Sequence, residues 1–124
     1  MLVSFFVRNL RERKQEERMN YHSAKWRKKR EHILSLDNYI DVLDKQYGRI
    51  TEATTVHHIY PAKDYPEYRY CDWNLISVSQ KTHNMLENRQ TGELTEMGKQ
   101  LMENTVPGKD WRQQKTPALF ATKF

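Results

Sequence analysis

Between Thr51 and Leu86 the residue types change in a fixed order, and that order constrains the fold more than any other feature. Thr51 to Tyr60 is rich in Thr, Val and Ile, the β-branched composition of a strand. Pro61 closes it, because proline has no N–H to give to a ladder. Residues 61–73 (PAKDYPEYRYCDW) read as a loop set with aromatic rings, and Leu75-Ile76-Ser77-Val78 as a second short strand. Ser79 is placed to cap a helix running to about Asn88, which Thr91-Gly92 stops. Strand, long loop, strand and helix in succession predict an α+β core, and a connection of that length is usually functional.

The flanks predict further helices. Leu10 to Arg30 is charged and free of Gly and Pro, which suits a solvated helix whose apolar anchors arrive late, at Trp26, Ile33 and Leu34. Asp37-Asn38 breaks that pattern. A second short run follows (Tyr39, Ile40, Leu43, Tyr47), and Gly48 ends it as a C′ residue. Leu94, Met97, Leu101 and Met102 share one face of a last helix, which Pro107-Gly108 terminates ahead of a loose tail.

With 124 residues there is room for one domain and a tail. We expect a basic arm over 1–21, a folded domain over 22–104 and a C-terminal tail over 105–124. The net charge is +5. Residues 1–30 hold ten Lys or Arg against three Glu, so the rest of the chain is slightly acidic and the positive field sits at the N-terminal end. Such a field favours an anionic partner, and Lys25, Arg27, Lys28, Lys29 and Arg30 on a helix can lie along phosphates. Cys71 is the lone cysteine, which excludes an intrachain disulfide and a cysteine zinc cage. The apolar stretch Leu2–Val7 is far too short to span a bilayer and lacks the frame of a signal peptide. The expectation is a cytoplasmic protein with no membrane partner.

Chemistry concentrates at His57, His58 and His83. A His pair at a strand end and a third His one turn into a helix can make a divalent-metal site plus a general base. Two surface histidines and one hydrogen-bonded core histidine account for the same spacing. A regular strand also points His57 and His58 to opposite faces, so one site can use both only where the strand ends or bulges.

Three motifs in order, Val56-His57-His58-Ile59-Tyr60-Pro61, Asp72-Trp73-Asn74-Leu75-Ile76-Ser77 and Thr82-His83-Asn84, resemble the HNH endonuclease family. Upstream, Trp26, Arg30 and Asp37-Asn38-Tyr39 resemble the lead-in of its phage-type members. The resemblance implies a ββα-metal (His-Me finger) core with flanking N- and C-terminal helices. It further implies that His57 and His83 hold one divalent ion (Mg, Mn, Ni or Zn), that His58 activates water, and that Asn74 ties the loop so as to hold His58 in place. DNA is the implied substrate, cut or nicked, with phage packaging proteins as possible further partners.

Two departures matter. Where many relatives carry two Cys-x-x-Cys pairs for a structural zinc, this chain has Asp41 and Asp44, then Ser79 and Thr82. Oxygen ligands replace thiolates poorly at zinc, so no structural zinc is expected, and hydrogen-bonded or apolar contacts involving Tyr39, Leu43, Tyr47, Trp73 and Val78 should close that end. Glu87, four residues after His83, stands where some relatives have another His. It can join the metal shell, sit behind it, or be an ordinary surface glutamate. Arg69, Lys81 and Arg89 flank the motif and can hold phosphate oxygens or be plain surface charge, while Asp64 and Asp72 read as solvated loop acids and His22 and His32 as structural or exposed. Besides an HNH endonuclease, the sequence admits a catalytically degenerate DNA-binding module of the same fold, or an accessory adaptor in a phage packaging assembly.

Overall fold

A computed structural model describes residues 19–113. The expected helix start at residues 10–18, most of the basic arm and the last stretch of the tail lie outside the described residues.

The first described helix, α1 (Ala24–Leu36), starts at Ser23, whose hydroxyl accepts from the Trp26 amide at 3.1 Å. It buries Trp26, Ile33 and Leu34, the anchors expected of it. The helix ends in two successive left-handed residues, Asn38 (φ 57°) and Tyr39 (φ 58°). Asn tolerates that region, whereas an aromatic residue rarely enters it. The turn swings the Tyr39 ring outward, where it is 45% exposed and its hydroxyl bonds Glu31, while its carbonyl accepts from Ala53. Tyr39 and the exposed Tyr47 therefore do not supply core contacts, contrary to expectation; Leu43, Trp73 and Val78 do.

Helix α2 (Val42–Gln46) follows, and Gly48 takes φ +79° just past its end. Strand β1 spans Thr55–His58, shorter than the Thr51–Tyr60 run suggested. Residues 51–53 pair instead with the Tyr39–Asp41 turn, through an isolated Ile40–Glu52 bridge. β1 lies antiparallel to β2 (Leu75–Val78), with His57 opposite Ile76 and His58 opposite Leu75. Two single-turn 3-10 helices, Pro66–Tyr68 and Asp72–Asn74, shape the connection between the strands. Helices α3 (Gln80–Leu86) and α4 (Glu96–Asn104) complete the fold, capped by Ser79 and Thr95. This is the ββα arrangement expected, with helices on either side of a two-stranded sheet.

Every residue of β2 is buried, because both faces of the small sheet are covered. Trp26, Ile33, Leu34, Ala53, Val56 and Leu75 form one apolar cluster on the α1 side. Leu43, Ile59, Ile76, Val78, Leu86, Leu101 and Trp111 form the other. The core thus runs past residue 104. Trp111 is buried and donates its indole N–H to the Trp73 carbonyl at 3.0 Å. Arg112 meets Asp37 through two bonds, Nε to Oδ1 at 2.7 Å and Nη2 to Oδ2 at 2.9 Å. Residues 105–113 are accordingly not the loose tail their composition suggested.

Hydrogen bonds join Asp41, Asp44, Ser79 and Thr82, the four residues that the resemblance sets against cysteines. Buried Asp41 accepts from the Asp44 amide through Oδ1 and from the Ser79 amide through Oδ2, both at 2.8 Å. Ser79 Oγ accepts from the Thr82 amide at 3.1 Å and donates to Thr82 Oγ1. Asp44 Oδ2 accepts from Thr51 Oγ1 at 2.7 Å. One carboxylate thereby fastens the start of α2 to the start of α3.

Candidate active site

Alternation along β1 sends His57 and His58 to opposite faces, as a regular strand must. His57 faces α3, its ring centroid 5.3 Å from that of His83. His58 faces α1 and stacks on Trp26, centroids 5.1 Å apart and planes 20° from parallel. Glu87 links the two sides: it lies 3.7 Å from buried His57 and lines the same cleft as His58, at the end of β1. Trp26, Arg30 and His83 line that cleft with them.

On the α3 side, Glu87 Oε2 accepts from His83 Nε2 at 2.8 Å and lies 3.7 Å from His57 Nδ1. Each of the three residues offers one ligand atom, and these atoms lie within 4.8 Å of one another. His57 is 1% exposed and both its ring nitrogens lack a hydrogen-bond partner. A buried imidazole left so is costly unless something else uses its lone pair. Burial foremost, then His83 and His58, hold its pKa well below the ordinary range, so it stays neutral, the form that binds metal. Two imidazoles and a carboxylate suit a divalent ion of borderline to hard character. Glu87, which sequence left open as a surface residue, stands between the two histidines.

On the other side, His58 Nε2 lies 3.1 Å from the Arg69 carbonyl. A carbonyl only accepts, so Nε2 carries the proton and Nδ1 keeps its lone pair. Burial lowers the His58 pKa to about 4, against an opposing pull from that same carbonyl bond. Asn74 is fully buried behind it. Its Oδ1 accepts from the Tyr60 amide at 2.7 Å, and Nδ2 donates to the Tyr60 and Tyr68 carbonyls at 3.1 Å. All its contacts go to backbone, so Asn74 positions the strand end and does not face the cleft.

The basic residues separate by environment. Arg30 lines the cleft and donates to the Thr54 carbonyl at 2.6 Å. Lys25 sits over the Tyr70 ring at 4.2 Å, and Lys29 is paired with Asp72. Arg27, Lys28, Lys81 and Arg89 are exposed. Arg69 turns its guanidinium back onto the Pro66 carbonyl and lies 5.4 Å over Tyr70; its carbonyl is what reaches the site. Asp72 binds Lys29 and His32 rather than standing free. Sequence reasoning missed Tyr21 and the contact of Trp26 with His58, which no local spacing signals.

A search of solved structures finds the crystal structure of a deep-sea thermophilic bacteriophage GVE2 HNH endonuclease with manganese ion, 35% identical, with a TM-score of 0.54. The match covers 60% of this chain and 80% of that one. The chain belongs to the HNH endonuclease family. Together with the His57, His83 and Glu87 cluster, this kinship supports a nuclease. No protein-family model matches this HNH protein, and no curated protein does at a significant level. Among the described residues, no helix is long and apolar enough to cross a membrane.

Proposed function

We propose that this HNH protein is a metal-dependent endonuclease that hydrolyses DNA phosphodiester bonds, with His58 as general base and His57, His83 and Glu87 as the metal ligands. The observation that carries the reading is the pairing of two differently prepared histidines around one strand edge. One is buried with both nitrogens unpartnered beside a His–Glu pair, and the other is fixed in one tautomer in the adjoining cleft.

His58 is neutral at physiological pH and holds its lone pair on Nδ1, so it can take a proton from water attacking phosphorus. The Arg69 carbonyl stabilises the imidazolium that results, through the Nε2 proton. A divalent ion, when bound, supplies positive charge for the phosphate oxygens and the leaving 3′ oxygen. The products would be a 5′-phosphate and a 3′-hydroxyl. Arg30 is placed to grip a phosphate next to the reacting one, with Lys25, Arg27, Lys28, Lys29, Lys81 and Arg89 lending sequence-independent attraction. Manganese is the first ion to try, since the phage relative was solved with it. The relative is a bacteriophage HNH endonuclease, which favours a phage-type enzyme with DNA as its substrate.

Conversion of supercoiled plasmid to nicked or linear form tests the reading, with Mg, Mn, Ni and Zn in parallel and EDTA as control. Cleavage should require metal and fall at least about 100-fold in His58→Ala, which should keep its Mn affinity by calorimetry. Glu87→Gln should weaken Mn binding about 10-fold or more. Folded protein that binds DNA yet cuts in no metal would replace this reading with a DNA-binding module.

A further inference from the structure

Tyr21 lies outside every motif and just ahead of α1, yet it stands at the candidate site. Its ring meets Trp26 at 5.6 Å and 86°, and His58 at 6.1 Å and 74°. Both contacts are perpendicular, so neither ring is stacked upon it, and 53% of the residue is exposed. Two clefts meet there. One runs over the β1 edge past Arg30 and His83. The other, about 700 Å³, is walled by Met19, Pro61, Ala62, Pro66 and Leu94. Tyr21, His58 and Glu87 belong to both.

A phosphodiester centred at His58 and Glu87 would have both clefts beside it, open to the neighbouring nucleotides. The second cleft falls in the roughly 300–1,000 Å³ range of sites that enclose small ligands, the size class of a single nucleotide. Its apolar stretches, which share the lining with Lys63, Asp64 and Thr91, suit a base or sugar face. An aromatic ring can stack on a base only where that base face is free, and inside a duplex both faces are covered by neighbouring pairs.

We propose that Tyr21 stacks on an unpaired nucleobase flanking the scissile phosphate, so that the preferred substrate is single-stranded or locally unpaired DNA. The inference rests on the nuclease reading and adds a substrate class to it. Tyr21 is then a substrate-binding residue supplied by the segment before α1, not by the ββα core.

The test uses the full chain and three substrates: a labelled single strand, the same strand in a blunt duplex, and the single strand with an abasic residue beside the cleaved bond. Binding is read by anisotropy in EDTA and cleavage in Mn. Tyr21→Ala should raise Kd and KM for the single strand about 10-fold, with kcat within about 3-fold and an unchanged pH profile, while Tyr21→Phe stays near wild type. The abasic strand should lose a similar factor with wild-type protein and nothing more with Tyr21→Ala. Circular dichroism shows that the variants are folded. The proposal falls if Tyr21→Ala binds and cuts like wild type, if Tyr21→Phe is as impaired as Tyr21→Ala, or if the duplex is cut as well as the single strand. It also falls if the loss lies in kcat and the pH profile, which would mean that Tyr21 only supports His58. In each of those cases the nuclease reading stands. Wild-type protein that neither binds nor cuts any of the three substrates would sink both.

Discussion

The Trp26 indole lies nearly parallel on the His58 imidazole, 5.1 Å between centroids, and so covers one face of the candidate base. The contact gives α1 a direct hold on the site, as part of the burial that lowers the His58 pKa to about 4.

Thinning that cover should raise the His58 pKa. A general base works in its deprotonated form, so activity is present above its pKa and lost as pH falls through it. In Trp26→Phe the acid limb of kcat/KM against pH should move upward from its wild-type position, toward the ordinary histidine value near 6.5. Coincident acid limbs in the two proteins would show that Trp26 does not set the protonation of the base.

Metal-free protein should be acid-sensitive. His57 and His58 resist protonation when folded but titrate normally when unfolded, so the unfolded chain binds more protons and stability falls as pH drops below about 6.5. The His58 part alone, from 6.5 to about 4, amounts to roughly 3 kcal/mol. Urea midpoints in EDTA should decline between pH 7 and pH 5, and His58→Gln should lessen the decline. Midpoints flat across that range would contradict the burial of both rings. Adding Mn at pH 7 should raise the midpoint by mass action.

Gly98 lets α4 press against the end of α3. A Cβ there would lie 2.1 Å from the Leu86 carbonyl oxygen, next in sequence to Glu87. Gly98→Ala must push the two helices apart, at about 1–3 kcal/mol by the usual cost of overpacking. Thermal denaturation should show that loss, and calorimetry a weaker affinity for Mn as Glu87 shifts. Wild-type stability in the variant would mean that the approach is looser than the backbone indicates.

Arg112 and Asp37 form a largely buried pair, further tied to the Asp72 and Leu75 carbonyls and the Ser77 amide. Arg112→Ala leaves an uncompensated carboxylate and should cost about 3–5 kcal/mol in urea denaturation. Arg112→Lys should recover little, because an ammonium cannot make the two-pronged contact. Full recovery by lysine would show that charge alone is needed.

Much of the fold is legible because its signals are local. Ser79 capping α3, Gly48 past α2 and the β-branched run of β1 each act within a few residues, and the His–Asn–His order places the motifs on strand, loop and helix. The errors arise where a distant partner outweighs a local preference. Residues 51–54 have strand composition, yet residues 51–53 bond the α1–α2 turn, which shortens β1. Tyr39 fits an apolar stripe, but its left-handed backbone turns the ring outward. Trp111 and Arg112 look like tail in a polar, Pro-containing segment, and contacts to Trp73 and Asp37 make them part of the core.

The sequence by itself determined the element types and the residues able to bind metal or move a proton, because propensity, capping and side-chain chemistry belong to short stretches of chain. Tertiary structure alone decided what each of those residues does. Only the end of α3 sets Glu87 between His57 and His83 and beside the cleft that His58 lines, and only the docking of α1 lays Trp26 on His58 and brings Tyr21 to the junction. Burial and proximity between residues far apart in the chain set protonation and ligand geometry, and no local pattern encodes them.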